Sequence, residues 1–435
     1  MISETTYAEA YVWIWLPDSD APIVAGRLSK NRGSLVFNYG RSYLARNDAI
    51  PIYAPELPLQ PGELAPLPGL AMPSCIRDAS PDAWGRRVLI NRKFGTKNIG
   101  ARNDSAGIEL DELTYLLESG SDRIGALDFQ LSPTDYVARQ GSNAALSELL
   151  TAAENVERGV PLSAELALAL QHGTSLGGAR PKAQLFEDNR KYIAKFSASN
   201  DLYNVVKAEY IAMRLAERVG LDVATVRLTS AMGKDVLLVE RFDRTPQGNQ
   251  RQSSLWRRRA MVSALTMLEL DEMMAGHASY EKLAEIIRHR FANPRQTLQE
   301  LFGRIVFNIL CGNTDDHARN HAAFWDGRQL TLTPAYDICP QSRTGQVASQ
   351  GMLIRDGDRS SQLATCIAAA PAFLLNRDEA IGIANHQVAV IEREWEATCH
   401  EAALSLVDRN TLWRRQFLNP YAFYDAPDGI RVLPN

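Results

Sequence analysis

The chain has 435 residues, 45% hydrophobic and 23% charged, with a formal net charge of −4. That is the composition of a globular protein long enough for two or three packed units, and its mildly acidic balance argues against a generally basic nucleic-acid coat protein. Five scattered cysteines (Cys75, Cys311, Cys339, Cys366 and Cys399), with no CxxC spacing, fit reduced thiols better than a disulfide or zinc framework.

The opening segment MISETTYAEAYVWIWLP carries no cationic region ahead of its apolar run, so it does not read as a signal peptide. No run of about 18 apolar residues could span a bilayer, and the expectation is a cytoplasmic protein with no membrane contact. In residues 9–45, Tyr11, Trp13 and Trp15 alternate with period two and Gly26, Gly33 and Gly40 punctuate the segment, which predicts a small β-rich start. Seven of the 21 prolines crowd into residues 51–73. Proline lacks the amide donor and clashes with the preceding helical turn, so this stretch is expected to be an extended connector or wrapped loop. DASPD at 78–82 looks like a turn and helix start leading into residues 83–94. Residues 145–172, rich in Ala, Leu and Glu, predict helix, with a break at 173–181. Residues 183–186 and 192–196 predict two short strands joined by a polar turn. A helix over 204–219, closed by Gly220, and two more strands near 223–229 and 235–240 follow. From 260 onward helical periodicity dominates, broken by a polar motif at 313–321 and a loop-like stretch at 333–361. No internal repeat is present. The order of Gly-rich loop, strand pair, helix, strand pair and helical half is that of a two-lobed kinase. The expected fold is therefore α+β and protein-kinase-like, with a β-rich N-terminal subdomain (1–130), a β-rich N-terminal kinase lobe carrying the Gly-rich loop and hinge (131–245) and a mainly helical C-terminal lobe (246–435).

The densest chemistry lies in GNTDDHARNH at 312–321. Asp315 and Asn320 have the spacing of a protein-kinase catalytic loop, where the Asp orients the substrate hydroxyl and accepts its proton while the Asn gives its amide oxygen to Mg²⁺. Asp337, in LTPAYDI, follows at the distance of the metal-binding Asp of the kinase DFG motif, here written Tyr336-Asp337-Ile338. A hard cation such as Mg²⁺ takes oxygen ligands of this kind. A lone D-x4-N is usually a loop or cap feature, and a second reading treats Asp315, Asp316, His317 and His321 as a metal cluster, with the two histidines four apart on one helix face. Upstream, Gly177 and Gly178 lie in GTSLGGARPK, where glycines let backbone amides approach phosphates. Lys195 on the second predicted strand and Glu209 on the following helix match the kinase pair that grips the α- and β-phosphates. VERFDR at 239–244 ends the last strand, where a hinge would receive adenine. Arg251, Arg257, Arg258 and Arg259, with Trp256 among them, are either a solvated face or a docking patch for an acidic partner or nucleic acid.

Taken in order, GTSLGGARPK, YIAKF, KAEYIAM, LLVERFDR, GNTDDHARN and LTPAYDI resemble the HipA toxin kinases, and VWIWL, LPLQPGEL and IRDASPDAWGRRVL resemble that family's N-terminal domain. The resemblance covers most of the chain and is most specific in GNTDDHARN with PAYDI. It implies a serine/threonine kinase using ATP and Mg²⁺, with Asp315 as catalytic base and Asn320 and Asp337 on the metal. Lys182 and Lys195 would stand at the nucleotide, the latter backed by Glu209. Glu240 and Phe242 would lie at the adenine hinge, and His317 where protein kinases often carry a Lys. Ser175 falls at a family autophosphorylation site, so self-inactivation is expected. A HipB-like helix-turn-helix antitoxin is implied as partner, contacting operator DNA and acting with the kinase as corepressor. A protein substrate such as an aminoacyl-tRNA synthetase is also implied. The chain departs from ordinary protein kinases in lacking HRD, GxGxxG and APE, and Asp316 replaces a glycine of the best-known member, which suggests a metal or hydrogen-bond role. A silent kinase fold that serves only as a binding partner, and a small-molecule or lipid kinase, are the competing readings.

Overall fold

The computed structural model describes residues 7–94, 109–139, 144–170, 178–198, 201–246, 256–343, 345 and 347–431. The chain divides into two compact units, Met1–Ser199 with Thr229–Val262 and Trp325–Arg328, and Asn200–Leu228 with Ser263–Phe324 and Gln329–Asn435.

Among the described residues, the first unit holds two four-stranded sheets and a short antiparallel strand pair. One runs β3-β2-β1-β4, from β1 (Glu9–Ile14), β2 (Ile23–Asn31), β3 (Ser34–Tyr39) and β4 (Leu127–Gln130). Alternation along β1 is interrupted by a register shift between Val12 and Trp13. Trp13 and Trp15 both pack on Tyr136, with ring centroids 5.4 and 5.5 Å away. Gly26 is required on β2, because a Cβ there would overlap the Asn38 carbonyl of β3. Four helices lie between β3 and β4: α1 (Arg41–Leu44), α2 (Ser74–Arg77), α3 (Ala83–Phe94) and α4 (Glu112–Glu118). The proline-rich stretch 51–73 forms no helix or strand. Its Glu56 accepts hydrogen bonds from the Ser74 and Cys75 amides at 2.9 and 2.7 Å, which satisfies the open start of α2.

The second sheet runs β5-β6-β8-β7, from β5 (Lys182–Glu187), β6 (Arg190–Phe196), β7 (Val226–Ala231) and β8 (Lys234–Glu240). Its two hairpins turn on Asp188-Asn189 and Met232-Gly233, all at positive φ, as two-residue turns between twisted strands require. Ala183, Tyr192, Ala194, Phe196, Val236 and Leu238 present one face of this sheet to Trp84 and Val88 of α3 and to two helices, α5 (Leu146–Glu157) and α6 (Ala164–Leu170). Residues 145–172 read as one helix from composition. The structure ends the first at Gly159, at φ 69, and places Pro161 before the second. Short strands β9 (Arg244–Pro246) and β10 (Trp256–Arg258) pair antiparallel, and β11 (Ala260–Ser263) follows.

The second unit is mainly helical. It contains α7 (Val205–Arg218), α8 (Ala264–Met267), α9 (Tyr280–Arg290), α10 (Pro294–Cys311), α11 (Leu363–Ala368), α12 (Arg377–Glu401) and α13 (Leu406–Leu412). Asn204 caps α7 by accepting from the Lys207 amide, and Gly220 closes it at φ 92, as the sequence predicts. α7 lies along α12, where Glu401 accepts from Tyr210 at 2.5 Å and from Arg218 at 2.6 Å. α10 is buried along most of its length, from Thr297 to its last residue. The strands β12 (Ala322–Trp325) and β13 (Leu330–Leu332) interrupt the predicted helical half. The five cysteines are buried free thiols, and among the described residues no helix is long and apolar enough to cross a membrane.

Candidate active site

The catalytic-loop candidate begins where α10 stops. Gly312 takes a left-handed φ of 73, and a Cβ there would sit 2.8 Å from the Gln416 carbonyl, so glycine is demanded twice. Residues 313–321 then run as non-helical turns. Asp315 is exposed, His317 half-buried, and Asp316, Asn320 and His321 are buried. The Asn320 amide donates its backbone N–H to His317 O at 2.8 Å and its side-chain nitrogen to Asp315 O at 3.3 Å, which leaves its side-chain oxygen as the ligand-competent atom. The first amides of α8 bind the same loop: Ala264 N–H donates to His321 O at 2.7 Å and Leu265 N–H to Ala318 O at 3.2 Å.

Asp316 and His321 are turned inward. A single oxygen, Oδ2 of Asp316, accepts from Asn308 Nδ2 at 2.7 Å and from Tyr280 Oη, and lies 2.9 Å from His321 Nε2. Burial pushes the Asp316 carboxyl up, but the His321 charge and the hydrogen bonds from His321 and Tyr280 overcome this and hold it below the ordinary aspartate value. This corrects the metal-cluster reading. With no helix at 313–321, His317 and His321 share no helix face, and among the described residues no three His, Cys, Asp or Glu side chains converge to hold a metal. The role of Asp316 is hydrogen bonding.

Asp337 is carried toward the loop by the segment after β13. Ala335 is anchored on both sides, its N–H donating to Asp222 O at 2.8 Å and its carbonyl accepting from Ala224 N–H at 2.9 Å. Tyr336 donates its hydroxyl to Arg319 O at 2.7 Å, tying this segment to the residue before Asn320. Asp337 itself sits at φ 60, a conformation that a non-glycine residue holds only when its surroundings enforce it. Its charge reaches Asp315. Although Asp315 is exposed by surface area, partial desolvation by the surrounding loop raises its carboxyl above the usual aspartate value, His317 draws it down, and Asp337 and then Asp316 push it up. One unit thus brings together an exposed carboxylate, a second carboxylate and an amide oxygen, an all-oxygen donor set suited to a hard divalent cation.

Of the residues expected at the nucleotide, Gly178, Lys182, Lys195, Glu240 and Phe242 lie in the first unit, whereas Glu209, buried on α7, and His317, Asn320 and Asp337 lie in the second. Lys182 on β5 stands directly opposite Lys195 on β6. Period-two alternation therefore puts both on the sheet face away from the Ala183/Ala194 core. Gly178 lies next to Lys182, at φ 94, and a Cβ there would overlap Lys182 Nζ. Gly178 donates its N–H to Asp82 Oδ2 at 2.7 Å and accepts from the Trp84 amide at 3.2 Å, while Trp84 Nε1 donates to Lys182 O at 2.8 Å. The start of α3 thus holds the end of the Gly-rich segment. Ser175 and Gly177 lie outside the described residues.

Glu240, at the end of β8, pairs with Arg190 at 2.5 Å, and half-buried Phe242 follows. Their neighbours form a buried ion network. Asp243 accepts from Arg241 at 3.0 and 2.8 Å, from Arg244 at 2.9 Å and from the Gly125 amide at 2.8 Å. Asp122 pairs with Arg241 at 3.1 Å, with Arg244 at 3.0 Å and with Lys191. Burial alone would raise Asp122, but the charges of Arg241, Lys191 and Arg244 take it well below the ordinary value, and burial lowers Lys191 to about 8. Asp122, Tyr280 and Asn308 were not singled out from sequence, and Tyr336 and Asp82 were named only as members of the PAYDI and DASPD segments. In the basic patch, Arg258 lies 3.5 Å from the Trp15 ring centroid and donates to Ser121 O, and Arg257 pairs with Asp18 at 3.2 Å; Arg251 is outside the described residues.

Two family models match the chain: the HipA-like C-terminal domain over residues 174–395 and the HipA N-terminal domain over residues 14–130. The serine/threonine-protein kinase toxin HipA of Shewanella oneidensis is 28% identical over 192 residues, 38% of this chain and 42% of that protein. The Y4mE protein of Sinorhizobium fredii is 29% identical over 130 residues, 30% of this chain and 31% of its own length. Both alignments thus span less than half of the relative. The HipA chain in the solved complex of Shewanella oneidensis HipA, HipB and operator DNA superposes with a TM-score of 0.64 at 18% identity, covering 95% of this chain and 99% of that one, which shows a shared α+β kinase-like fold. One family's two domain models, met in chain order over the segments that build both units, leave one conclusion: the chain belongs to the HipA family.

Proposed function

We propose that this chain is an ATP- and Mg²⁺-dependent kinase that transfers the γ-phosphate to a serine or threonine hydroxyl of a protein. The observation that carries the reading is the grouping of Asp315, Asn320 and Asp337, tied by Tyr336 to Arg319 O and by Asn320 to Asp315 O, with the Asp337 charge acting on Asp315. In this reading Asp315 would take the hydroxyl proton as the hydroxyl oxygen bonds to the γ-phosphorus and ADP leaves, and Asn320 and Asp337 would hold Mg²⁺, which when bound would supply neutralising charge at the phosphates. Lys182 and Lys195 hold the nucleotide phosphates with the backbone of Gly177 and Gly178. His317 would steady phosphate charge, and Glu240 and Phe242 would flank the adenine. Phosphate added to Ser175 would set up to two negative charges beside those of the nucleotide, and this repulsion is the proposed self-inactivation.

The solved Shewanella oneidensis complex of HipA, HipB and operator DNA supports an antitoxin partner; operator DNA met mainly through that partner, with the pair acting as corepressor, is the rest of the proposal. A cytoplasmic protein such as an aminoacyl-tRNA synthetase is the proposed substrate. Calorimetric titration with ATP tests the reading. Binding should require Mg²⁺ for full affinity and should weaken at least tenfold in Lys195→Ala. A chain that binds no ATP with or without Mg²⁺ would overturn it.

A further inference from the structure

The sequence GNTDDHARNH holds two adjacent aspartates that the fold treats in opposite ways. Asp315 is exposed, whereas Asp316 is 2% exposed and its neighbour His321 also 2%. A buried carboxylate is costly unless its oxygens are bonded, and here one oxygen gathers three partners from three places. Tyr280 is the first residue of α9, Asn308 lies in the last turn of α10, and His321 is the far end of the loop itself. Asn308 also accepts from Asn313 Nδ2 at 3.0 Å, so the near end of the loop joins the same network. The Asp316 carbonyl is close-packed too: a Cβ on Gly351 would lie 2.8 Å from it, so only a glycine lets that segment pass.

We infer that Asp316 is a positioning residue, which with Tyr280, Asn308 and His321 cinches residues 313–321 at both ends and so fixes Asp315 and Asn320 for phosphate transfer. The part that concerns transfer rests on the kinase reading above. The geometric part does not. Closing 316 onto 321 leaves His317 and Asn320 on a short, pinned arc, with Asp315 at its threshold. Misplacement of a reacting group by about 1 Å can cost about 10²-fold, and loss of a partner behind a metal ligand typically costs about 10–100-fold in affinity or activity.

The test uses Asp316→Asn, Asp316→Ala and Tyr280→Phe in the full chain, with Asp315→Asn as control, each assayed well below its own melting temperature. Asp316→Ala should lower kcat by about 10–100-fold and raise the Mg²⁺ concentration needed for half-maximal rate, while Mg-free ATP binding stays near wild type. Tyr280→Phe removes one of three bonds and should move both readouts partway in the same direction. A residue that served stability alone would leave both unmoved. Hydrogen–deuterium exchange across 313–321 is read on the same proteins and does not depend on activity. It should rise in Asp316→Ala and, to a smaller degree, in Asp316→Asn, but not in Asp315→Asn. Unchanged loop protection in Asp316→Ala and Asp316→Asn overturns the inference whatever the kinetics. If loop protection falls as expected but wild type transfers no phosphate, the kinase reading fails and the positioning stands.

Discussion

Replacing Asp243 by Ala would test the buried ion network of the first unit. Asp243 is 2% exposed and its partners Arg241 and Arg244 are 4% and 5% exposed. Removing its carboxylate takes away a two-pronged pair with Arg241, a bond from Arg244 and the acceptor of the Gly125 amide. Asp122 alone would then face Arg241, Arg244 and Lys191. Breaking a buried pair from one side typically costs about 3–5 kcal/mol, because a charge is left without its partner. For a unit of this size each kcal/mol moves the melting temperature by about 2–4 °C, so the unit should melt about 6–20 °C lower. Scanning calorimetry on wild type and variant reads this directly, and an Asp243→Ala protein melting within about 2 °C of wild type would refute the reasoning.

Asp337→Asn removes a charged oxygen from the proposed metal set, so Mg-dependent ATP affinity should fall while Mg-free binding holds; a variant in which Mg²⁺ raises ATP affinity as much as in wild type would count against it. Gly178→Ala forces a side chain onto a φ of 94 and into Lys182 Nζ, at a strain of about 1–3 kcal/mol. If half of that falls on the bound state, KM for ATP rises about 2–12-fold, and an unchanged KM with unchanged stability would contradict the placement of Lys182. Asp122, Asp128 and Asp243 all sit below the ordinary aspartate value, each pushed up by burial and pulled down further by neighbouring arginines. Between those values and the unfolded one of about 3.9 the unfolded chain binds more protons. Their stabilisation is therefore complete above that pH and lost as pH falls through the folded values. Denaturant titrations should show stability dropping steeply below about pH 4, with a shallower fall in Asp243→Asn.

Local chemistry was the most readable part of the sequence. The hairpin over 182–196, the Asn204 and Gly220 ends of α7 and the glycine stop before 313 follow from turn and cap residues whose demands are met within a few positions. Long-range pairing was not legible. β4 is a short strand recognisable only once β1 is beside it; alternation puts Trp13 and Trp15 on one face, but their shared partner Tyr136, more than 120 residues on, could not be read from the sequence. In the candidate site, Asp315, Asn320 and Asp337 could be picked out by spacing. Asp316 could not be assigned, because an aspartate that binds a cation and one that anchors a loop look alike until Tyr280 and Asn308, 36 and 8 residues away, arrive beside it. ERFDR was readable as a strand end, but its buried arginines needed Asp122 to be understood.

The most direct test of the central claim is intact mass after incubation with Mg-ATP, on phosphatase-treated wild type and on Asp315→Asn. Wild type should gain one phosphate, mapping to Ser175, and the variant none, since loss of a positioned base costs about 10²–10⁴-fold in rate. No gain in a wild-type chain that binds ATP, or an equal gain in Asp315→Asn, would contradict the account.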